Sequence, residues 1–124
     1  MNKLKFIKEQ MTAIGIPYEF GEWSSAVEYP YTVGEITEEP IVTEDGLEQS
    51  TLILTGFHRG KYIDLAEIKE KCKKHFHPVH GLRGQTDSGS IAVFYGGAFF
   101  IPTGEADLKK IQINLTIKEW KGDL

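Results

Sequence analysis

The chain has 124 residues, 40% of them hydrophobic and 26% charged, which fits one domain spanning 1–124 and excludes a disordered or low-complexity polymer. Fourteen basic against 18 acidic residues give a net charge of −4, the wrong sign for a dedicated nucleic-acid binder. Cys72 is the single cysteine, so no internal disulfide can form. No run approaches the ~18 apolar residues of a membrane helix. The charged stretch Met1–Gln10 does not read as a signal peptide, and the expected setting is the cytoplasm.

In chain order, Leu4, Ile7, Met11 and Ile14 fall at helical spacing, with Asn2 as a cap and Gly15 and Pro17 as a stop, predicting a helix over Asn2–Ala13. Ile16–Phe20 is a short extended piece and Gly21–Ser25 a loop. Val27–Ile36 reads as a strand weakened by Pro30 and Gly34, hence at an edge or carrying a bulge. Glu38–Asp45 is a connection, and Asp45-Gly46 signals a hairpin into a strand over Leu47–His58. Within that strand Leu52-Ile53-Leu54 suggests burial on both faces and a central position.

Tyr62–Phe76 predicts a second helix, its stripe formed by Leu65, Ile68, Cys72 and His75/Phe76, with Asp64 and Glu67 as a capping pair. His77–Gly89, with Pro78, Gly81, Gly84 and Gly89, reads as a long mobile loop. Ser90–Ile101 is a strand with a bulge at Gly96-Gly97, and Pro102–Asp107 a turn. Ile111, Ile113, Leu115 and Ile117 alternate with polar residues in a last strand to Lys118. The order predicts an α+β fold, a two-layer sandwich of a mostly antiparallel sheet with two helices on one face.

Charge is unevenly spread. No Lys or Arg lies between Lys8 and Arg59, while nine carboxylates fall from Glu19 to Glu48. From Arg59 to Arg83 seven cations face only Asp64, Glu67 and Glu70. Candidate chemistry is thin. Cys72, His75, His77 and His80 crowd together, but structural zinc sites draw ligands from two separate segments, so helix end plus loop is the reading and no metal is assigned. Ser88 sits among turn residues and no nucleophile elbow is present. Gly81–Gly84 and Gly96-Gly97 match no phosphate-binding fingerprint. No catalytic residue and no cofactor are assigned. Phe94, Tyr95, Phe99 and Phe100 read as strand residues divided between two faces.

Three stretches carry a family resemblance: Tyr29-Pro30-Tyr31-Thr32-Val33-Gly34-Glu35; Glu44-Asp45-Gly46-Leu47-Glu48 running to Gly56; and Asp64-Leu65-Ala66-Glu67-Ile68 onward. In layout the chain resembles the tail terminator (tail completion) family of small neck proteins of long-tailed bacteriophages and prophages. His77–Gly89 is longer than the family pattern. The resemblance implies a non-enzymatic virion protein that forms a ring, usually a hexamer, which caps the tail tube and makes the head–tail junction. Implied partners are copies of itself, the tail tube protein and the head-completion or connector protein, with DNA passing through the lumen unbound and no membrane.

For such a ring the acidic hairpin with Glu38, Glu39, Glu44, Asp45 and Glu48 is expected to pack on a neighbour's basic helix region, with Arg59 and Lys61 among the interface residues. His77, His80 and Arg83 are expected to order on the tube or connector, and Ile111–Lys118 to offer a free edge. The alternatives are another minor virion component, such as a head-closure or tail-tube protein, and a cytoplasmic small-molecule or metal-binding module.

Overall fold

A computed structural model describes residues 2–23, 26–42 and 46–121, with backbone alone at 40–42. Two helices and six strands follow in the order α1 (Lys3–Ala13), β1 (Tyr18–Phe20), β2 (Tyr31–Val42), β3 (Leu47–His58), α2 (Tyr62–His75), β4 (Leu82–Thr86), β5 (Gly89–Ile101) and β6 (Lys109–Lys121). The strands form one curled sheet in the order β1-β2-β3-β6-β5-β4. Every pairing is antiparallel except β1 with β2. The fold is therefore α+β and mostly sheet.

The inner sheet face follows from period-two alternation. Ile111, Ile113, Leu115 and Ile117 of β6 are fully buried. Their neighbours across the ladder, Leu52 and Leu54 of β3 and Val93 of β5, are buried with them. Phe6, Ile7 and Met11 of α1 and Leu65, Ile68 and Cys72 of α2 complete this single core, each large side chain contributing about 1.5–3 kcal/mol on burial. α1 is capped as the sequence predicts, Asn2 Oδ1 accepting from the Lys5 amide at 2.9 Å. Its buried stripe contains Phe6 in place of Leu4, which is 38% exposed.

Several expectations need correction. The strand expected over Val27–Ile36 starts only at Tyr31, because the proline precedes it, and runs on to Val42 through residues expected to form a connection. Its irregularity falls between Glu38 and Val42, not at Pro30 or Gly34. Gly34 is covered by the Tyr18 ring, which leaves no room for a side chain there. Only Leu52 and Leu54 of the Leu52-Ile53-Leu54 run are buried, Ile53 standing half-exposed on the other face. The N-cap of α2 is Lys61 without a side-chain cap bond, while Asp64 lies in the first turn and hydrogen-bonds His58.

His77–Gly89 is not a loop throughout, since Leu82–Thr86 forms β4 and hairpins with β5. β6 offers no free edge, because β3 and β5 pair along both its sides. Among the described residues the free edges are β1 and β4. The bulge expected at Gly96-Gly97 lies between Tyr95 and Gly97.

Candidate interaction surface

The groups with possible chemistry do not converge. Cys72 is fully buried, and burial pushes its thiol up to about 12, so it carries essentially no thiolate near neutrality. His75 Nε2 lies 2.8 Å from Gln10 Oε1 and links α2 to α1. Burial holds the His75 pKa below its ordinary value. His77 Nδ1 accepts from the amides of Val79 and His80, both at 3.1 Å, and the His77 and His80 rings stack at 4.6 Å. Among the described residues no group of three or more His, Cys, Asp or Glu is placed to hold a metal ion. Ser88 lies in the two-residue turn between β4 and β5.

Sequence reasoning missed a histidine–carboxylate pair, the one found among the described residues. His58 Nε2 at the end of β3 lies 2.8 Å from Asp64 Oδ2 and ties the first turn of α2 to the sheet. Gly60 lies against the same ring and has no room for a Cβ. His58 Nδ1 is buried without a partner. No hydroxyl or thiol is bonded to this pair among the described contacts, so it serves as a joint between strand and helix.

The charged residues singled out in the sequence are scattered, and several are answered within the chain. Lys3 Nζ contacts Glu38 at 2.7 Å and Glu119 at 3.4 Å; Lys121 Nζ contacts Glu119 at 3.3 Å and Glu48 at 3.5 Å. The result is an alternating chain, Glu38–Lys3–Glu119–Lys121–Glu48, joining α1, β2, β3 and β6, with Glu119 only 7% exposed at its centre. Burial works to lower the Lys3 pKa, but the bond to Glu38 and the Glu119 charge outweigh it and the net shift is upward. The bond from Lys3 holds the Glu38 carboxyl below its usual range. Arg59 lies 2.8 Å from Asp107 and donates to the Tyr29 hydroxyl at 3.2 Å. Glu39 and Lys61 are exposed. Glu44 and Asp45 lie outside the described residues.

The feature that sequence reasoning did not locate is the outer sheet face. The ladders place Ile53, Thr55, Gln112, Asn114 and Thr116 there, all half-exposed, in contrast to the buried inner face. One end of it carries an aromatic corner: Trp23 and Tyr29 pack on Tyr31, with centroids at 5.1 and 5.5 Å, and Tyr31 stacks on Phe57 at 5.1 Å. Lys110 and Arg59 lie over Phe57 and Tyr29. Phe99, 50% exposed, continues this end of the face on β5. The signal was present in the sequence as outward positions of predicted strands, but register was needed to bring the rings together.

At the other end Arg83, Ala92 and Lys118 form one row across β4, β5 and β6, and Gln85, Ser90 and Trp120 the next. Arg83, Gly84, Gln85, Ser90, Ile91 and Trp120 line a cleft of about 500 Å3. Arg83 therefore sits on a sheet edge, apart from His77 and His80. No described helix is long and apolar enough to cross a membrane. No protein-family model matches the chain, and no curated protein matches it.

Proposed function

We propose that the chain is a non-enzymatic structural protein of a bacteriophage or prophage virion, a tail terminator that assembles as a ring on the tail tube and receives the head. This reading takes the helices and sheet as two layers, helices over the inner face and the outer face left for a neighbour. The observation that carries it is the aromatic corner. Tyr29 and Tyr31, from a stretch that bears the family resemblance, pack with Trp23 and Phe57 on a face that also carries half-exposed Ile53, Thr55, Gln112, Asn114 and Thr116. Clustered Tyr, Trp and Phe are enriched where proteins meet proteins.

Exposed Glu39 and Lys61 have no ion-pair partner among the described residues, and they suit the acidic and basic sides of a head-to-tail contact. Glu38, Glu48 and Arg59 already have partners within the chain, so their pairing with a neighbour would exchange one contact for another. The test is mass in solution by light scattering, alone and after mixing with purified tail tubes. A ring, or a monomer that co-sediments with tubes and halts their growth, supports the reading. A monomer that ignores tubes overturns it.

A further inference from the structure

We propose that the free edge of β4, with the cleft beside it, is a docking site for an extended acidic peptide segment of a partner protein, which adds to the sheet as a seventh strand. This does not depend on ring formation. β4 pairs with β5 alone, leaving its other side open among the described residues. The β4–β5 hairpin closes on Thr86 and Gly89 through a two-residue turn. In such a hairpin the closing residues exchange hydrogen bonds and alternate pairs do the same, so Leu82–Val93 and Gly84–Ile91 are bonded inward. Arg83 and Gln85 therefore direct their N–H and C=O groups to the open edge, two donors and two acceptors that an added strand would satisfy. β4 has no proline and no bulge, the usual devices that blunt an edge.

Side chains set the chemistry of the occupant. Arg83 and Lys118 flank Ala92, which their row leaves 0% exposed although it faces outward. Neither cation has an ion-pair partner among the described residues; Lys118 instead lies 5.5 Å from the Phe94 ring. No carboxylate lines the cleft, whose wall is the Trp120 indole. Unanswered Arg83 on the edge strand, with Lys118 two strands inward across Ala92 and the Trp120 indole as a ledge of the cleft, matches an extended chain carrying carboxylates at alternate positions, main-chain bonds supplying affinity and the Arg83 guanidinium selectivity. Arg83 and Lys118 alone fall short of the basic stripe that would track a nucleic-acid backbone.

The experiment is amide-resolved NMR titration of the intact protein with a blocked octapeptide of alternating valine and glutamate, and with its lysine-for-glutamate version. The expected result is shifts concentrated at the Arg83 and Gln85 amides and the Trp120 indole with the glutamate peptide, at least tenfold weaker for the lysine peptide. Arg83→Glu should weaken glutamate-peptide binding at least tenfold while leaving the far-UV circular dichroism unchanged. Shifts elsewhere, or none at the two edge amides, overturn the proposal, as do equal affinities for the two peptides. Tighter binding of an oligo-dT strand at the same residues also overturns it, and so does concentration-dependent shifting without peptide, which would assign the edge to a second copy.

Discussion

Gly84→Ala tests the packing of β4 directly, because the sign of its effect depends on whether this segment is a strand under α1 or a loop. A Cβ built on Gly84 would lie 2.5 Å from Phe6 Cε2 and 2.8 Å from Cζ, where ordinary contact needs about 3.4–4 Å. The Phe6 ring, 5% exposed, would have to move by roughly 1 Å within a packed core. Overpacking of that kind costs about 1–3 kcal/mol. Alanine returns part of it, since replacing glycine where the backbone is compatible stabilises by about 0.4–1 kcal/mol through the unfolded chain. Gly84 has no positive φ, so its backbone accepts alanine. The net expectation is a loss of about 1–2 kcal/mol, read as a lower urea midpoint at unchanged slope.

The double mutant Phe6→Leu, Gly84→Ala should lose less than the sum of the single mutants, because the smaller side chain vacates the space the new methyl needs. If Gly84→Ala stabilises the protein, or the two changes simply add, the packing of α1 on β4 argued above is wrong and the segment behaves as the loop that its glycines suggest.

Three further outcomes follow from the same structure. Glu119→Gln removes the central charge between Lys3 and Lys121 and should cost ~1–2 kcal/mol, below the loss for a fully buried pair because both lysines keep a second carboxylate; chemical denaturation measures it. The Lys3–Glu38 contact sets a pH window. The raised Lys3 pKa contributes stability that is complete below 10.5 and lost as pH climbs through the folded value. The lowered Glu38 pKa contributes above 4.5 and is lost as pH falls through the folded value. Lys3→Met should therefore flatten both flanks of the stability–pH profile. Cys72, fully buried with its thiol at about 12, should react with a disulfide reagent only at the rate of unfolding, and a reaction at the rate of a free thiol would refute its placement in the core.

The elements legible in the sequence are those whose pattern and tertiary role agree. β6 alternates Ile, Leu and polar residues without interruption, and the structure buries that row. α2 shows its stripe and α1 its cap for the same reason. β4 was illegible because its glycine is there for contact rather than for turning: Gly84 is selected by the Phe6 ring above it, a fact of tertiary packing that looks like loop composition in one dimension. The strand order was equally out of reach. Ile111–Lys118 was expected to offer a free edge, whereas β6 inserts between β3 and β5 and leaves the edge to β4.

The candidate surface shows the same limit in its charges. A run of acidic residues followed by a run of basic ones predicts a two-sided protomer only if neither run meets its opposite on folding. Lys3, Lys121 and Asp107 lie outside those runs, yet Lys3 and Lys121 answer Glu38 and Glu48 where the start of α1 and the end of β6 come beside the start of β3, and Asp107 answers Arg59 at the opposite end of the β3–β6 ladder. What remains is smaller and better placed. Arg83 and Lys118 are 35 residues apart in sequence and share one row of the sheet, with a fully buried alanine between them. Only register could show that an unanswered arginine stands on an unpaired backbone edge, where an acidic strand would satisfy it.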